Sequence, residues 1–250
     1  MSTVFLAWQT PAESRAWYPI GRLEHDAGHD LYRFGYTGGA LRAQNEAGLR
    51  PLDSFPKFDA IYEDNELFPL FNNRLLSRKR EDYAEFMNLL DLPLTADPME
   101  ILSVSGGVRA TDNLEVFPEI KKESDGRFHC RFFLHGWRYV NPIARDRIEN
   151  LKKGEELRVS IELNNPSTPL AVQLFSDDYT MLGWAPRYLV GDLLEVVNEA
   201  NNEIRAQVAK VNTSPANFQQ KVLVELSGKW PQGNPFESED FKFIAKLPNS

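Results

Sequence analysis

The sequence predicts an α+β protein: a small N-terminal sheet followed by helices, then a small C-terminal β-barrel carrying one or two helices. Three observations lead there. Apolar residues in the first third alternate with period two, then change to helical spacing from Glu66 onward. Beyond Phe128, short strand-like runs recur between turn signals, the pattern of a small barrel or twisted sheet. The segment Leu182-Gly183-Trp184-Ala185-Pro186-Arg187-Tyr188 reads as a strand that stops at a proline opening a helix.

Taken in order, Val4 to Trp8 and Trp17 to Leu23 are apolar strand runs separated by a polar turn. Leu31-Tyr32-Arg33-Phe34-Gly35-Tyr36 follows as a third strand, ended by Gly38-Gly39. Around Glu66 to Leu76, the residues Leu67, Leu70, Phe71 and Leu75 share a helix face. Residues 79–91 place Tyr83, Phe86, Met87 and Leu90 at i, i+3, i+4 and i+7. Asp97-Pro98 gives an N-cap and a first-turn proline for a short helix that Gly106-Gly107 ends. Leu114 to Pro118 is an exit strand, and the polar stretch Lys121 to Gly126 is either a linker or a hairpin turn. These features divide the chain into domains 1–119 and 120–250.

In the second domain, Phe132-Phe133-Leu134 leads into Gly136-Trp137-Arg138-Tyr139. A strand from Leu157 to Leu163 meets the turn Asn164-Asn165-Pro166, and Ala171-Val172-Gln173-Leu174 resumes the strand. Residues 187–200 form a helix with Leu189, Leu193, Val196 and Val197 inward. Strands from Ile204 to Val211 and from Val222 to Leu226 flank a loop with Pro215 and Phe218, and Phe241 to Ile244 reads as a last strand.

Composition excludes several classes. No apolar run approaches the ~20 residues that span a bilayer, and the first residues lack the basic region and apolar core of a secretory signal. One cysteine, Cys130, permits no internal disulfide and fits a reducing, cytoplasmic setting. The net charge is -8. Through Pro118 there are 11 basic against 18 acidic residues, and from Glu119 onward 17 against 18. Within 131–158, Arg131, Arg138, Arg145, Arg147, Lys152, Lys153 and Arg158 outnumber the acids. Such a patch can attract phosphate on an acidic protein, and a solvated basic face is the other reading.

The order Gly136…Arg138-Tyr139, Asn165-Pro166, Ala171-Val172 and Gly183-Trp184…Pro186-Arg187 resembles the HIRAN domain, a nucleic-acid-binding module. The resemblance implies an OB-like barrel that binds single-stranded DNA or DNA 3′ ends. Arg138 would meet phosphate and Tyr139 would pack on a base or sugar, the combination that serves sequence-tolerant strand binding. The family follows its Asn-Pro with an aspartate that helps recognise the free 3′-hydroxyl. Here Ser167 and Thr168 stand instead, supplying hydroxyls but no carboxylate. Trp184 and Arg187 sit at a helix start that favours an anion, and Phe218 occupies the loop where the family places a stacking phenylalanine. Separately, Gly21-Arg22-Leu23, Tyr32 to Tyr36, Pro51-Leu52 and Leu67 to Leu76 resemble the N-terminal subdomain of HipA-type kinases. That resemblance implies a protein-contact domain; the kinase domain has no counterpart.

Other clusters yield no chemistry. His25-Asp26-Ala27-Gly28-His29-Asp30 is a hairpin loop with two histidines and no third ligand, so no metal is expected. His129 and Cys130 alternate along a strand and point apart. Ser103-Val104-Ser105-Gly106-Gly107 matches neither a nucleophile elbow nor a phosphate loop. The acids Glu63, Asp64 and Glu66 complement a helix start. The expectation is a non-enzymatic DNA-binding protein without cofactor or membrane attachment, recruiting a protein partner through its N-terminal domain in DNA repair, replication stress or phage defence. The alternative is a protein-interaction or regulatory subunit without DNA binding.

Overall fold

The computed structural model describes residues 1–245 apart from 12, 166–167, 200–203 and 214–215. The chain is α+β and forms two compact units. The first comprises Met1–Ala84, Leu94–Glu119 and Phe236–Ser250; the second comprises Glu85–Pro93 and Ile120–Pro235. The main division thus falls between Glu119 and Ile120. Two short segments cross it, one in each direction.

The first unit is built on β1 (Ser2–Gln9), β2 (Trp17–Asp26), β3 (Leu31–Tyr36), β4 (Ile61–Asp64) and β5 (Leu114–Pro118), arranged β4-β3-β2-β1-β5. All neighbours are antiparallel. Alternation along β1 buries both faces. Val4 and Leu6 enter a core with Ile20, Leu23, Phe34 and Phe71, while Phe5 packs against Phe117, Phe236 and Phe241 at ring-centroid distances of 5.4, 5.0 and 5.1 Å.

Four helical segments lie between β3 and β5 in the chain: α1 (Gly38–Ala47), α2 (Pro69–Asn72), α3 (Tyr83–Leu89), most of which belongs to the second unit, and α4 (Pro98–Ser105). The last agrees with its end signals, since the Asp97 carboxylate accepts the Glu100 N–H at 2.9 Å and Gly106 caps the other end at φ 72°. The third strand ends at Tyr36 as read, and Gly38-Gly39, read only as its stop, also opens a helix that the sequence reading lacked. A Cβ on Gly39 would lie 2.2 Å from the Pro19 carbonyl oxygen, so packing rather than turn formation requires glycine there. The helix expected over Glu66 to Leu76 is a single turn. The chain leaves it at Asn73 and carries Arg74 inward, where the guanidinium binds Asp112 at 2.6 Å and the Gly107 carbonyl at 2.8 Å. Phe241 to Ile244 is no strand; a 3₁₀ turn and one bridge from Phe243 to Thr37 replace it.

The second unit contains β6 (Lys121–Lys122), β7 (Arg127–Phe133), α5 (Pro142–Glu149), β8 (Glu156–Asn165), β9 (Thr168–Phe175), β10 (Met181–Trp184), α6 (Val190–Glu199), β11 (Arg205–Val211) and β12 (Val222–Lys229). The sheet order is β10-β9-β8-β11-β12-β7-β6. Lys121 to Gly126 is therefore a hairpin element, with Lys122 opposite Phe128. The expected barrel is an open sheet whose ladder does not close. Just beyond β7, however, His135 forms an isolated bridge to Trp184 of β10, with hydrogen bonds of 2.9 Å in both directions. Leu189, Leu193, Val196 and Val197 are buried, as their spacing requires, and α6 lies against β8 and β9.

The segment Glu85–Pro93 belongs to this unit through polar anchors. The buried Asn212 amide donates to the Leu89 carbonyl at 2.8 Å, and Asp91 accepts from Arg131 at 2.6 Å.

Candidate nucleic-acid interface

The bridge between the ends of β7 and β10 sets up the site. At Gly136 the backbone turns left-handed (φ 69°), and a Cβ there would stand 2.3 Å from the Trp184 ring. At Gly183 a Cβ would stand 2.5 Å from the His135 carbonyl oxygen. Two glycines thus let the segments meet at backbone distance. The chain then makes one 3₁₀ turn, Trp137–Tyr139. Val140 is buried behind the turn, and Asn141 caps α5 by accepting the Ala144 N–H at 2.8 Å. Ala144 and Ile148 anchor that helix in the core. The turn is held on both sides while its own side chains face outward.

Phe218 begins another 3₁₀ turn, whose cap Asn217 accepts the Gln219 N–H at 3.2 Å. The Trp137 indole N–H donates to the Phe218 carbonyl at 2.7 Å, tying the two turns together. Arg138 lies over the Phe218 ring with its guanidinium carbon 3.6 Å from the centroid, and 5.7 Å from the centroid of Tyr139. Tyr139 is 75% exposed and Phe218 45% exposed. The result is a solvent-facing surface of two aromatic rings around one cation.

The remaining expected residues have different surroundings. Trp184 is half-buried beneath Gly136, and its indole N–H donates to Glu162 at 2.6 Å. The same Glu162 oxygen accepts from Asn165 at 2.7 Å, coupling the end of the β8–β9 hairpin to Trp184. Thr168 pairs with Asn165, and its hydroxyl donates to the Leu170 carbonyl at 2.8 Å, so it is occupied within the hairpin. Ser167 lies outside the described residues. Arg187 opens a 3₁₀ turn ahead of α6, half-buried and already engaged within the fold. Arg138, Tyr139 and Phe218 are therefore brought together, with Trp184 supporting them from below.

Glu162 was not singled out from the sequence, and Gly136 and Trp137 were read there without a structural role. The repeated Gly-Trp pairs at 136–137 and 183–184 were the available signal for these two; Glu162 offered none.

The basic stretch 131–158 is largely neutralised. Arg131 and Lys153 meet Asp91, Arg147 meets Glu155 and Asp178, and Arg158 meets Asp177. Among the described residues the side chains of Arg138, Arg145 and Lys152 have no carboxylate partner, although the Lys152 backbone N–H donates to Glu155 at 3.1 Å. In the loop of the first unit, His29 bonds Asp26 at 2.6 Å and holds that carboxyl below its ordinary range, while His25 stacks on Tyr32 at 4.1 Å. Among the described residues no group of three or more His, Cys, Asp or Glu side chains could hold a metal, and no helix is long and apolar enough to cross a membrane.

No family model matches the chain, and no curated protein matches it. A solved structure of a protein from Lactobacillus plantarum, a structural-genomics target, is 16% identical over 41% of this chain and 99% of that one, with a TM-score of 0.31. A likeness at that level carries no argument about function.

Proposed function

We propose that this chain is a non-enzymatic, HIRAN-like protein that binds single-stranded DNA or DNA ends through Arg138, Tyr139 and Phe218. The observation that carries the reading is the exposed stack of the Arg138 guanidinium on Phe218 beside the outward Tyr139 ring. A flat cation beside aromatic faces attracts phosphate and accepts any base by stacking, which gives affinity without sequence preference. The turn is preorganised by the Trp137 hydrogen bond and the Asn141 cap, which lowers the ordering cost of binding. The N-terminal unit is assigned the protein contacts that recruit partners in repair, replication stress or phage defence.

Preference for a 3′-hydroxyl is expected to be weak, because the Thr168 hydroxyl is occupied and offers no carboxylate. Losing one hydrogen bond to that hydroxyl forfeits roughly 0.5–3 kcal/mol, a few-fold to a hundredfold in discrimination. The deciding experiment is retention of labelled single-stranded DNA across a salt series, with matched competitors ending in 3′-hydroxyl or 3′-phosphate. Affinity that ignores salt removes the DNA reading. Hydroxyl preference above about a hundredfold removes the weak-end part.

One observation favours the alternative of a protein-interaction subunit. Leu163 and Leu170 face each other near the end of the β8–β9 hairpin, 67% and 38% exposed. Absence of DNA binding by the intact chain would leave that reading standing.

A further inference from the structure

The outer face of β7, β12 and β11 carries a cleft of about 610 Å³, lined by Glu123, Arg127, His129, Arg205, Ser227 and Lys229 over the buried Phe128. The sheet register explains the convergence. Arg127 stands opposite Lys229, and both His129 and Arg205 stand opposite Ser227 from either side. All four basic side chains are exposed.

Their pairing differs. Arg127 is held by Asp125 at 2.6 Å, and His129 lies 3.4 Å from Glu225. Arg205 and Lys229 have no acidic partner among the described residues. Elsewhere in this unit Arg131, Arg147, Arg158 and Lys221 are each matched by a carboxylate. The cleft thus gathers two cations without an acidic partner around one concavity, with a serine between them. The volume lies within the roughly 300–1,000 Å³ of small-ligand sites. An arginine fork and a lysine point charge are the groups that take phosphate oxygens.

We propose that this cleft is a second anion site, binding the phosphate groups of a nucleotide-sized ligand. The phosphates come from a free polyphosphate chain or from the backbone of a nucleic-acid strand. The inference does not rest on the Arg138 reading. Arg127 and Lys229 pair at one end of the β7–β12 ladder; Phe133 and Leu223, next to the Arg138 turn and Phe218, pair at the other. Six residues at about 3.3 Å each separate them by ~20 Å.

The test titrates the intact chain with inorganic triphosphate and with a twelve-residue oligothymidylate, in the native sequence, in the Arg205→Ala/Lys229→Ala double variant and in Arg138→Ala. All three altered side chains are exposed, and circular dichroism checks the fold. The expected result is triphosphate binding that weakens tenfold or more in the double variant, about the effect of losing a charge-assisted hydrogen bond, and is unchanged in Arg138→Ala. If strand phosphates are the source, the oligonucleotide's salt slope also falls by about 1.4 in the double variant, at about 0.7 for each lost contact. An unchanged slope with weakened triphosphate binding assigns the site to free phosphate. No triphosphate binding together with an unchanged slope overturns the proposal, whatever Arg138→Ala does to the oligonucleotide.

Discussion

Replacing Tyr139 by alanine isolates the binding function from the fold. The ring is 75% exposed and lies on a turn whose position is set by its neighbours. Surface truncations away from such supports alter stability by about 0.5 kcal/mol or less. Base stacking on an aromatic ring contributes roughly 1–3 kcal/mol by alanine substitution, so Tyr139→Ala should weaken single-strand binding about five- to 150-fold. Arg138 separates two contributions. Arg138→Ala removes one phosphate contact and should make the salt slope shallower by about 0.7. Arg138→Lys keeps the charge and the slope but loses the planar contact with Phe218, now 3.6 Å from guanidinium carbon to ring centroid; an exposed contact of this kind contributes about 0.5–1 kcal/mol. Fluorescence anisotropy of a labelled oligothymidylate at several salt concentrations reads all three. Affinities within twofold of the native chain for Tyr139→Ala and Arg138→Ala, with melting temperatures unchanged, would refute the assignment of this surface.

Three further outcomes follow from the geometry. Gly136→Ala should destabilise the second unit by at least ~1–2 kcal/mol, the cost of left-handed backbone with a Cβ, with further loss as Trp184 is displaced; denaturant titration with tryptophan emission checks this, and native emission and stability would contradict it. Burial raises Tyr36 from 10.0 to about 12. Because the unfolded tyrosine titrates near 10, its contribution to stability is complete below that pH and lost as pH rises towards about 12. Unfolding titrations from pH 8 to 12 should show the decline, and its absence in that window would count against the buried hydroxyl. The fragment 120–250 should melt below the same unit in the intact chain, because it lacks Leu89 and Asp91, partners of Asn212 and Arg131, and carries Phe236 and Phe241 without Phe5 and Phe117. Equal melting temperatures would show that these segments contribute little.

Legibility followed how local each cause was. Helix α4 was readable because its cap, first-turn proline and terminal glycine lie within the chain's own neighbourhood. Helix α5 opens on Asn141-Pro142 much as α4 opens on Asp97-Pro98, but only Ala144 and Ile148 are buried, too few to make an apolar stripe. The start of α1 was missed because its glycines answer to Pro19 and Glu239, residues remote in sequence. Counting charges over 131–158 overstated the basic surface, since Asp91, Asp177 and Asp178 arrive from other segments. At the candidate site, Arg138, Tyr139 and Phe218 were found through resemblance. Trp137 and Glu162, which fix their surroundings, depend on contacts spanning 81 and 22 positions and left no local pattern.

That distribution bears on how variants near the site should be interpreted. Arg138, Tyr139 and Phe218 face solvent, so replacing them chiefly removes what a ligand could touch. Gly136, Trp137, Trp184 and Glu162 hold the turn, and replacing them moves it. Glu162 illustrates the difference: its carboxylate accepts from both Trp184 and Asn165, and truncating it leaves two donors without that acceptor, at a cost of roughly 1–3 kcal/mol for each that remains buried. Loss of binding in a Glu162 variant would therefore arise through displacement of Trp184 and the Gly136 turn above it, not from a missing ligand contact. A binding defect accompanied by a change in tryptophan emission belongs to the support; one without such a change belongs to the exposed face.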